Sequence, residues 1–467
     1  MKKCIKVFKG GVLFAAMISV LFCGCQNKNK NEAIQNDIKE KETTIITIWT
    51  KDRHDAEFQK KKIEEYNITN TDNIRIKYEI YADNYAQAVD RAFQTGNVPD
   101  IFVSSTQIFT KYVNQGKYAD LISFMDDAFQ ETFSAAMIDG INVLDGKCYY
   151  VPTAATVSRL FYNKSIFARC GIENPPVTLQ EMVKDATIIT EQLSGEGIYG
   201  FAANMKNANS GLNRNLLKQA NAELGNKTGF DFNKGEYDFS GYKSLIEVWR
   251  TLMSSQCGYP ESQFLDIDPL RKLFSEGKIG MYISYSHAEL GAYEQQYDMQ
   301  DEWGCVEIPV TDGIMRGAQN YNSNNGYLFY SGSPHLEEAW KAYRAVFANV
   351  DNLTEYYEQG LGVSIIPKVI ENANVNQFYK ENPALSIGKN DKMWPPVPTE
   401  VNPEGVIVDG MDLYDTLKEL IFSSDDIDTV LKDLTQRYNT AYYKGVKEGT
   451  GILIKIDHFN PMNPSGV

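Results

Sequence analysis

Apolar runs of membrane-spanning length, cysteines at metal-binding spacing and an excess of positive charge are all missing from this 467-residue chain. The most apolar stretch, Gly10 to Phe22, falls short of the ~20 residues that a helix needs to cross a bilayer core, and no other stretch approaches that length. A helical membrane span is therefore not expected. Lys plus Arg total 46 against 61 Asp plus Glu, a formal net charge of −15. That balance repels polyphosphate and sets nucleic acid aside as a general partner. Cys148, Cys170, Cys257 and Cys305 stand far apart with no metal-like spacing, and a domain of this size needs no disulfide, so they read as buried thiols. Catalytic signatures are missing too: there is no GxSxG elbow, no HExxH and no P-loop. Gly360-Leu361-Gly362 lacks the third glycine of a dinucleotide loop, and His287-Ala288-Glu289 has no second His at metal spacing. Asn320–Gly326 has Asn325 where a calcium loop needs Gly. Carboxylates are so numerous that a glycosidase-like pair could always be nominated, which makes such a pair uninformative. No cofactor and no metal is expected.

What is present begins with a leader. Lys2, Lys3, Lys6 and Lys9 precede the short apolar run, the layout of an export signal. Phe22-Cys23-Gly24-Cys25 resembles a bacterial lipobox, with Phe22 and Cys23 as departures from its usual residues. Processing before Cys25 would make residues 1–24 a lipoprotein signal peptide and Cys25 a palmitate-type lipid attachment point. It would also remove four lysines and no acidic residue. Residues 25–43, rich in Asn, Lys and Glu, then serve as a flexible tether. The mature chain is expected outside the cytoplasm, anchored to the cell membrane.

The whole chain holds 43% apolar residues, enough for a sizeable core, and its length suits two or more core-forming units. Thr43–Thr50 reads as a strand, Asp55–Tyr66 as a helix, and Ile74, Ile76, Tyr78 and Ile80 alternate with charged residues as a half-buried strand. A helix over Tyr85–Thr95 ends at Gly96, and Pro99-Asp100 leads into the short buried strand IFVSS. Thr178-Leu179-Gln180-Glu181 reads as a capping box for a helix running to about Leu193. Later come strands at Ile198–Ala203, Ile279–Tyr285 and Gly326–Tyr330, and helices at Tyr242–Ser255, Leu270–Glu276, Leu336–Ala348 and about Asp426–Tyr443. Alternating β and α elements imply α/β architecture with mainly parallel sheets flanked by helices. In such sheets ligands gather beyond the carboxyl ends of strands, where Trp49, Asp83, Ser104 and Ser105 stand.

Seven segments in order, PDIFVSS, DGKCYYVPTAATVSRLFYNKSIF, GIENPPVTLQEM, FSEGKIGMYIS, WGCVEIPV, LEEAWKAYRAVFAN and GLGVSIIP, resemble the family 1 extracellular solute-binding proteins, to which the maltodextrin binders belong. The resemblance covers nearly the whole mature chain. It implies a two-lobe periplasmic-binding-protein-like fold with a hinge between lobes: residues 44–152 and 309–351 in one lobe, 153–308 and 352–467 in the other. Crossovers would fall at Pro152-Thr153, at Ile308-Pro309 and near Asp351. It also implies a monomeric substrate-binding subunit of an ABC importer that closes on a sugar or oligosaccharide and meets membrane permease subunits. A lipoprotein that senses sugar for a membrane kinase would share the fold, and a secreted glycosidase is the rival from another class.

Carried over residue by residue, the resemblance implies ligand contacts at Trp49 and Asp52 after the first strand, and at Ser104, Ser105 and Gln107 after PDIFV. Thr156 stands where the maltodextrin binders have a carboxylate, Asn204 and Asn207 where they have a stacking Tyr, and His287, after Tyr285, where they have a stacking Trp. Trp394, between Met393 and two prolines, would be a rigid exposed platform. Asp83 could accept a sugar hydroxyl proton or, with Asn84, cap the next helix. Each candidate also has an ordinary structural role open to it: packing for the tryptophans, solvated loop positions for the small polar residues. The replacement of aromatics and carboxylates by Ser, Thr, Asn and His suits a neutral hydroxylated ligand. Asn163 and Gly277 read as a helix cap and a helix stop, outside the site.

Overall fold

The computed structural model describes residues 43–81, 84–324, 326–403 and 405–465. The β-branched run Thr44–Thr50 lies within a four-stranded sheet and pairs in parallel with Ile74–Ile80 on one side and Ile101–Val103 on the other. Ile74 and Ile76 are buried while Arg75 and Lys77 face solvent, as their alternation requires. The helices Ala56–Thr69 and Tyr85–Thr95 make the crossovers, and Gly96 ends the second with φ +76°, a conformation open to a residue without Cβ. The fourth strand, Tyr327–Phe329, returns from far along the chain to lie antiparallel against Ile101–Val103.

A second four-stranded sheet runs in the order Trp303–Val306, Ser158–Asn163, Ile279–Tyr285, Tyr199–Phe201. Here the expectation of mainly parallel strands needs correction. Ile279–Tyr285 and Tyr199–Phe201 are parallel, but Ser158–Asn163 is antiparallel to both of its neighbours. Apolar runs report that both faces are covered, not the direction in which a strand runs. Phe161, Tyr282 and Trp303 enter one apolar core with the first sheet's residues, while Leu160, Met281 and Ile283 enter a second. The helix Leu179–Leu193 packs against this sheet and carries the expected capping box: Thr178 Oγ1 accepts the Glu181 N–H, and the Glu181 carboxylate accepts the Thr178 N–H. Asn163 caps the helix Lys164–Arg169, and Gly277 has φ +67° after the helix Ile267–Ser275.

A small third sheet joins three passing segments: Ala154–Thr156 in the middle, Asn322–Asn324 and Val363–Ser364 antiparallel on either side. Beyond Pro309 the chain stays with the helix Leu216–Leu224, because the Thr311 N–H donates to the Glu223 carboxylate at 2.7 Å and the Arg316 N–H to the Ala222 carbonyl at 2.8 Å. Asp351 lies in the helix Val350–Glu358, which packs back on Ala56–Thr69: Lys62 meets Glu355 at 2.6 Å and the Phe58 and Tyr356 rings pack edge to face.

Arg159, on the second sheet, is fully buried and makes a two-pronged contact with the equally buried Asp391, at 2.6 and 3.1 Å. Gln319 and the Ala384 and Ser386 carbonyls accept its remaining hydrogens. The four cysteines among the described residues are unpaired, with Cys148, Cys257 and Cys305 buried and Cys170 half-buried. Burial pushes the Cys148 and Cys305 thiols up to about 12, so neither is a nucleophile at neutral pH. Among the described residues no helix is long and apolar enough to cross a membrane.

Candidate functional site

A cleft of about 930 Å³ opens where the first and second sheets meet, within the range of small-molecule sites. One wall comes from the ends of the first sheet's strands: Lys51 and Asp52 follow Thr44–Thr50, and Ser104 and Ser105 follow Ile101–Val103. Ser105 also caps the helix Thr106–Val113, accepting the Ile108 N–H at 3.4 Å. The facing wall comes from the helices Ala208–Arg214 and Leu216–Leu224, with Asn213, Arg214 and Lys218, and from Tyr285 and His287 beyond the second sheet. Thr156, Asn322 and Ser323 of the small sheet line the join. The first wall therefore depends on the ends of parallel strands, where side chains are free to meet a ligand, and the facing wall mainly on two helices.

The polar geometry is tight at the join. His287 Nδ1 lies 2.5 Å from Thr156 Oγ1, and its ring sits 5.0 Å from that of His54, whose Nε2 in turn reaches the Leu361 carbonyl at 3.0 Å. Burial, then the nearby His54 and Arg214, hold His287 well below the usual histidine range. It is neutral at physiological pH and can both donate and accept. Burial raises the Asp52 carboxyl, with Lys51 and His54 acting against that rise.

On the facing wall the Arg214 guanidinium lies 4.3 Å over the Tyr285 ring, and Nη1 is 3.4 Å from Ser284 Oγ. Its Nε is buried with no hydrogen-bond partner. Lys218 is buried and donates to the Asn322 side-chain oxygen at 2.9 Å, with the Asn320 amide 3.2 Å away. Burial, and then neighbouring Lys227, push the Lys218 ammonium down to about 7. Lys227 is matched by Glu400 at 2.7 Å. The short helix Pro398–Val401, which carries Glu400, lies against Thr106–Val113 from the opposite wall.

Of the twelve residues expected at the ligand, Asp52, Ser104, Ser105, Thr156, Tyr285, His287 and Trp394 line this cleft. Trp394 does so without being an exposed platform. It is 3% exposed, its ring packs against Phe459 and Phe232, and its indole N–H donates to the Ala318 carbonyl at 2.9 Å. The prolines fix it inward. Trp49 lies off the cleft, packed on Tyr81 at 4.4 Å. Asn204 is buried beyond the cleft wall. Asn207 caps Ala208–Arg214, its side chain accepting the Ser210 N–H at 2.9 Å, and so acts on the cleft through the helix it starts. Asp83 and Cys25 lie outside the described residues, and only the backbone of Gln107 is described. The residues not foreseen are Asn213, Arg214, Lys218, Asn322 and Ser323. Lys218 carried a signal, a lone cation in the otherwise apolar and amide-rich run LLKQANAEL.

Comparison with known proteins agrees with this architecture. The family model described as bacterial extracellular solute-binding protein matches residues 50–350. A putative binding protein of Brucella abortus is 26% identical over 276 residues, which span 59% of this chain and 64% of that protein's length. A solved structure from work on xylan utilization by the thermophilic bacterium Caldanaerobius polysaccharolyticus matches with TM-score 0.70 and 17% identity, covering 85% of this chain and 100% of the other. The cyclic alpha-maltosyl-1,6-maltose binding protein from Arthrobacter globiformis matches with TM-score 0.63 and 18% identity, covering 85% and 98%. These likenesses establish a two-lobe fold.

Proposed function

The chain belongs to the bacterial extracellular solute-binding protein family, and from that premise we propose that it is the substrate-binding subunit of an ABC importer, capturing a sugar or oligosaccharide. The observation that carries this reading is the cleft between the two main sheets, lined by hydroxyls and amides: Ser104 and Ser105 on one wall, Asn213 on the other, and Thr156 and Asn322 at the join. Such groups match a sugar's alternating donors and acceptors. The ligand draws the walls together, and the closed form is the one that meets the permease. The chain acts by binding and release, with no catalytic step.

We place the lobe crossovers at Ala154–Thr156, Asn322–Asn324 and Val363–Ser364, since the segments after Ile308-Pro309 and around Asp351 keep their earlier partners. Ligand contacts are assigned to Asp52, Ser104, Ser105, Thr156, Tyr285 and His287, with Gln107 and Asp83 retained as candidates. The protein is anchored through lipid on Cys25 and works as a monomer.

The test is a titration of the purified protein with a saccharide panel, read by melting temperature and Trp fluorescence. At least one member should raise the melting temperature. A response to peptides or phosphonates with none to any saccharide would overturn the sugar assignment. For the anchor, Cys25→Ala should release the protein into the medium, and retention on the membrane would refute lipidation there.

A further inference from the structure

The chain carries a formal net charge of −15, yet its cleft is lined by Lys51, Arg214, Lys218 and Lys227 against Asp52 and Glu400. Glu400 is engaged by Lys227, and Asp52 stands on the opposite wall. Among the described residues, Arg214 and Lys218 have no carboxylate in ion-pair contact. Arg214 reaches Glu289 only through the Ser284 hydroxyl, and Glu289 is already held by Arg271 at 2.8 Å. Lys218 contacts neutral amides. Removing a cation from water without a matching anion is costly, and a binding cleft is a place where a protein keeps such a cost because function needs it. The donor geometry is specific as well. Arg214 keeps a buried Nε–H unused and its guanidinium carbon sits 4.3 Å over the Tyr285 ring, and a guanidinium is a planar fork suited to a two-oxygen acceptor.

We propose that the ligand is an acidic oligosaccharide whose uronic-acid carboxylate is held by Arg214 and Lys218. This rests on the sugar-binding reading above and revises its neutral-ligand expectation. The hydroxyl- and amide-bearing wall holds the sugar body, while the Arg214–Lys218 wall selects the charged residue. Neutral sugars of equal size then leave two cations without a counter-charge.

The experiment is calorimetric titration of the full chain with uronate oligosaccharides (di- and trigalacturonate, mannuronate dimers and glucuronate-branched xylo-oligosaccharides), each beside its carboxyl-reduced form. At least one acid should bind at least about tenfold more tightly than its reduced form. Its affinity should fall as salt rises toward about 0.5 M, while that of neutral sugars stays level. Arg214→Gln and Lys218→Met should each erase the preference for acid over reduced form. Salt dependence of the unmutated chain keeps the test valid if a variant fails to fold. Equal affinity for acid and reduced forms, or binding of neutral members only, overturns the acidic-ligand proposal and leaves sugar binding standing. Silence across all saccharides overturns both.

Discussion

Arg159 is buried and Arg271 half-buried against carboxylates, whereas Lys218 is buried and Arg214 half-buried against amides, one hydroxyl and an aromatic face. In the first set every charge is answered. Asp391 takes Arg159 with two oxygens, and Glu289 accepts from Arg271, Ser284 and Tyr282 together. Burial alone would raise the Glu289 carboxyl, yet Arg271 and these hydrogen bonds hold it below the usual range. In the second set burial wins, and both cations are pushed toward neutrality. The difference separates charges that hold the fold from charges that wait for a ligand. The second set sits where the walls of a cleft face one another; the first lies behind them.

Breaking the first set should have the largest effect. Asp391→Ala leaves Arg159 buried without a counter-charge and should cost about 3–5 kcal/mol in urea unfolding, with folded-state ligand affinity little changed where the protein survives. Breaking the second set should do the reverse. Lys218→Met removes an uncompensated buried cation and should raise the melting temperature by a few degrees while lowering affinity for an acidic ligand. The pH dependence follows from the same group. Its folded pKa, about 7, lies below the ordinary lysine value, so the unfolded chain binds more protons above pH 7 and stability rises with pH across that window. The advantage of Lys218→Met over the unmodified protein should therefore be largest at pH 7 and below, where Lys218 is charged, and shrink as pH climbs. Melting curves of the two proteins from pH 6 to about 10 measure it, and a constant gap would remove Lys218 as its source. The smallest effect belongs to a matched neutral group: Trp394→Phe loses the hydrogen bond to Ala318 and should cost about 1 kcal/mol, with ligand affinity unchanged. A large loss of binding would restore Trp394 as a contact.

Much of the scaffold was legible because its signals are local. The alternation at Ile74–Ile80, the box at Thr178–Glu181 and the stop at Gly277 each depend on a few neighbouring residues. Strand direction in the second sheet was not, since an apolar run looks the same in either orientation. Ile308-Pro309 resembles a boundary in sequence, yet the Pro309 carbonyl accepts from Gln219 and Thr311 donates to Glu223, contacts made across long stretches of chain. In the cleft, the small polar residues at strand ends could be anticipated from topology. Arg214 could not, because a helical cation is usually solvated, and Lys218 stands out only as a lone cation in LLKQANAEL, which does not mark the face that is covered. For Trp394 the two prolines that follow suggest a rigid segment, but rigidity does not say whether a side chain points outward.

The strand Tyr327–Phe329 completes the first sheet only after the chain has laid down every strand of the second, from Ser158 to Val306. A chain emerging N-terminus first therefore holds Ile101–Val103 as an open edge until Tyr327 has been made. Non-local closure of this kind slows folding, and an unpaired edge invites wrong partners. In a family described as extracellular, the same late closure leaves the first sheet incomplete until the chain has passed Phe329.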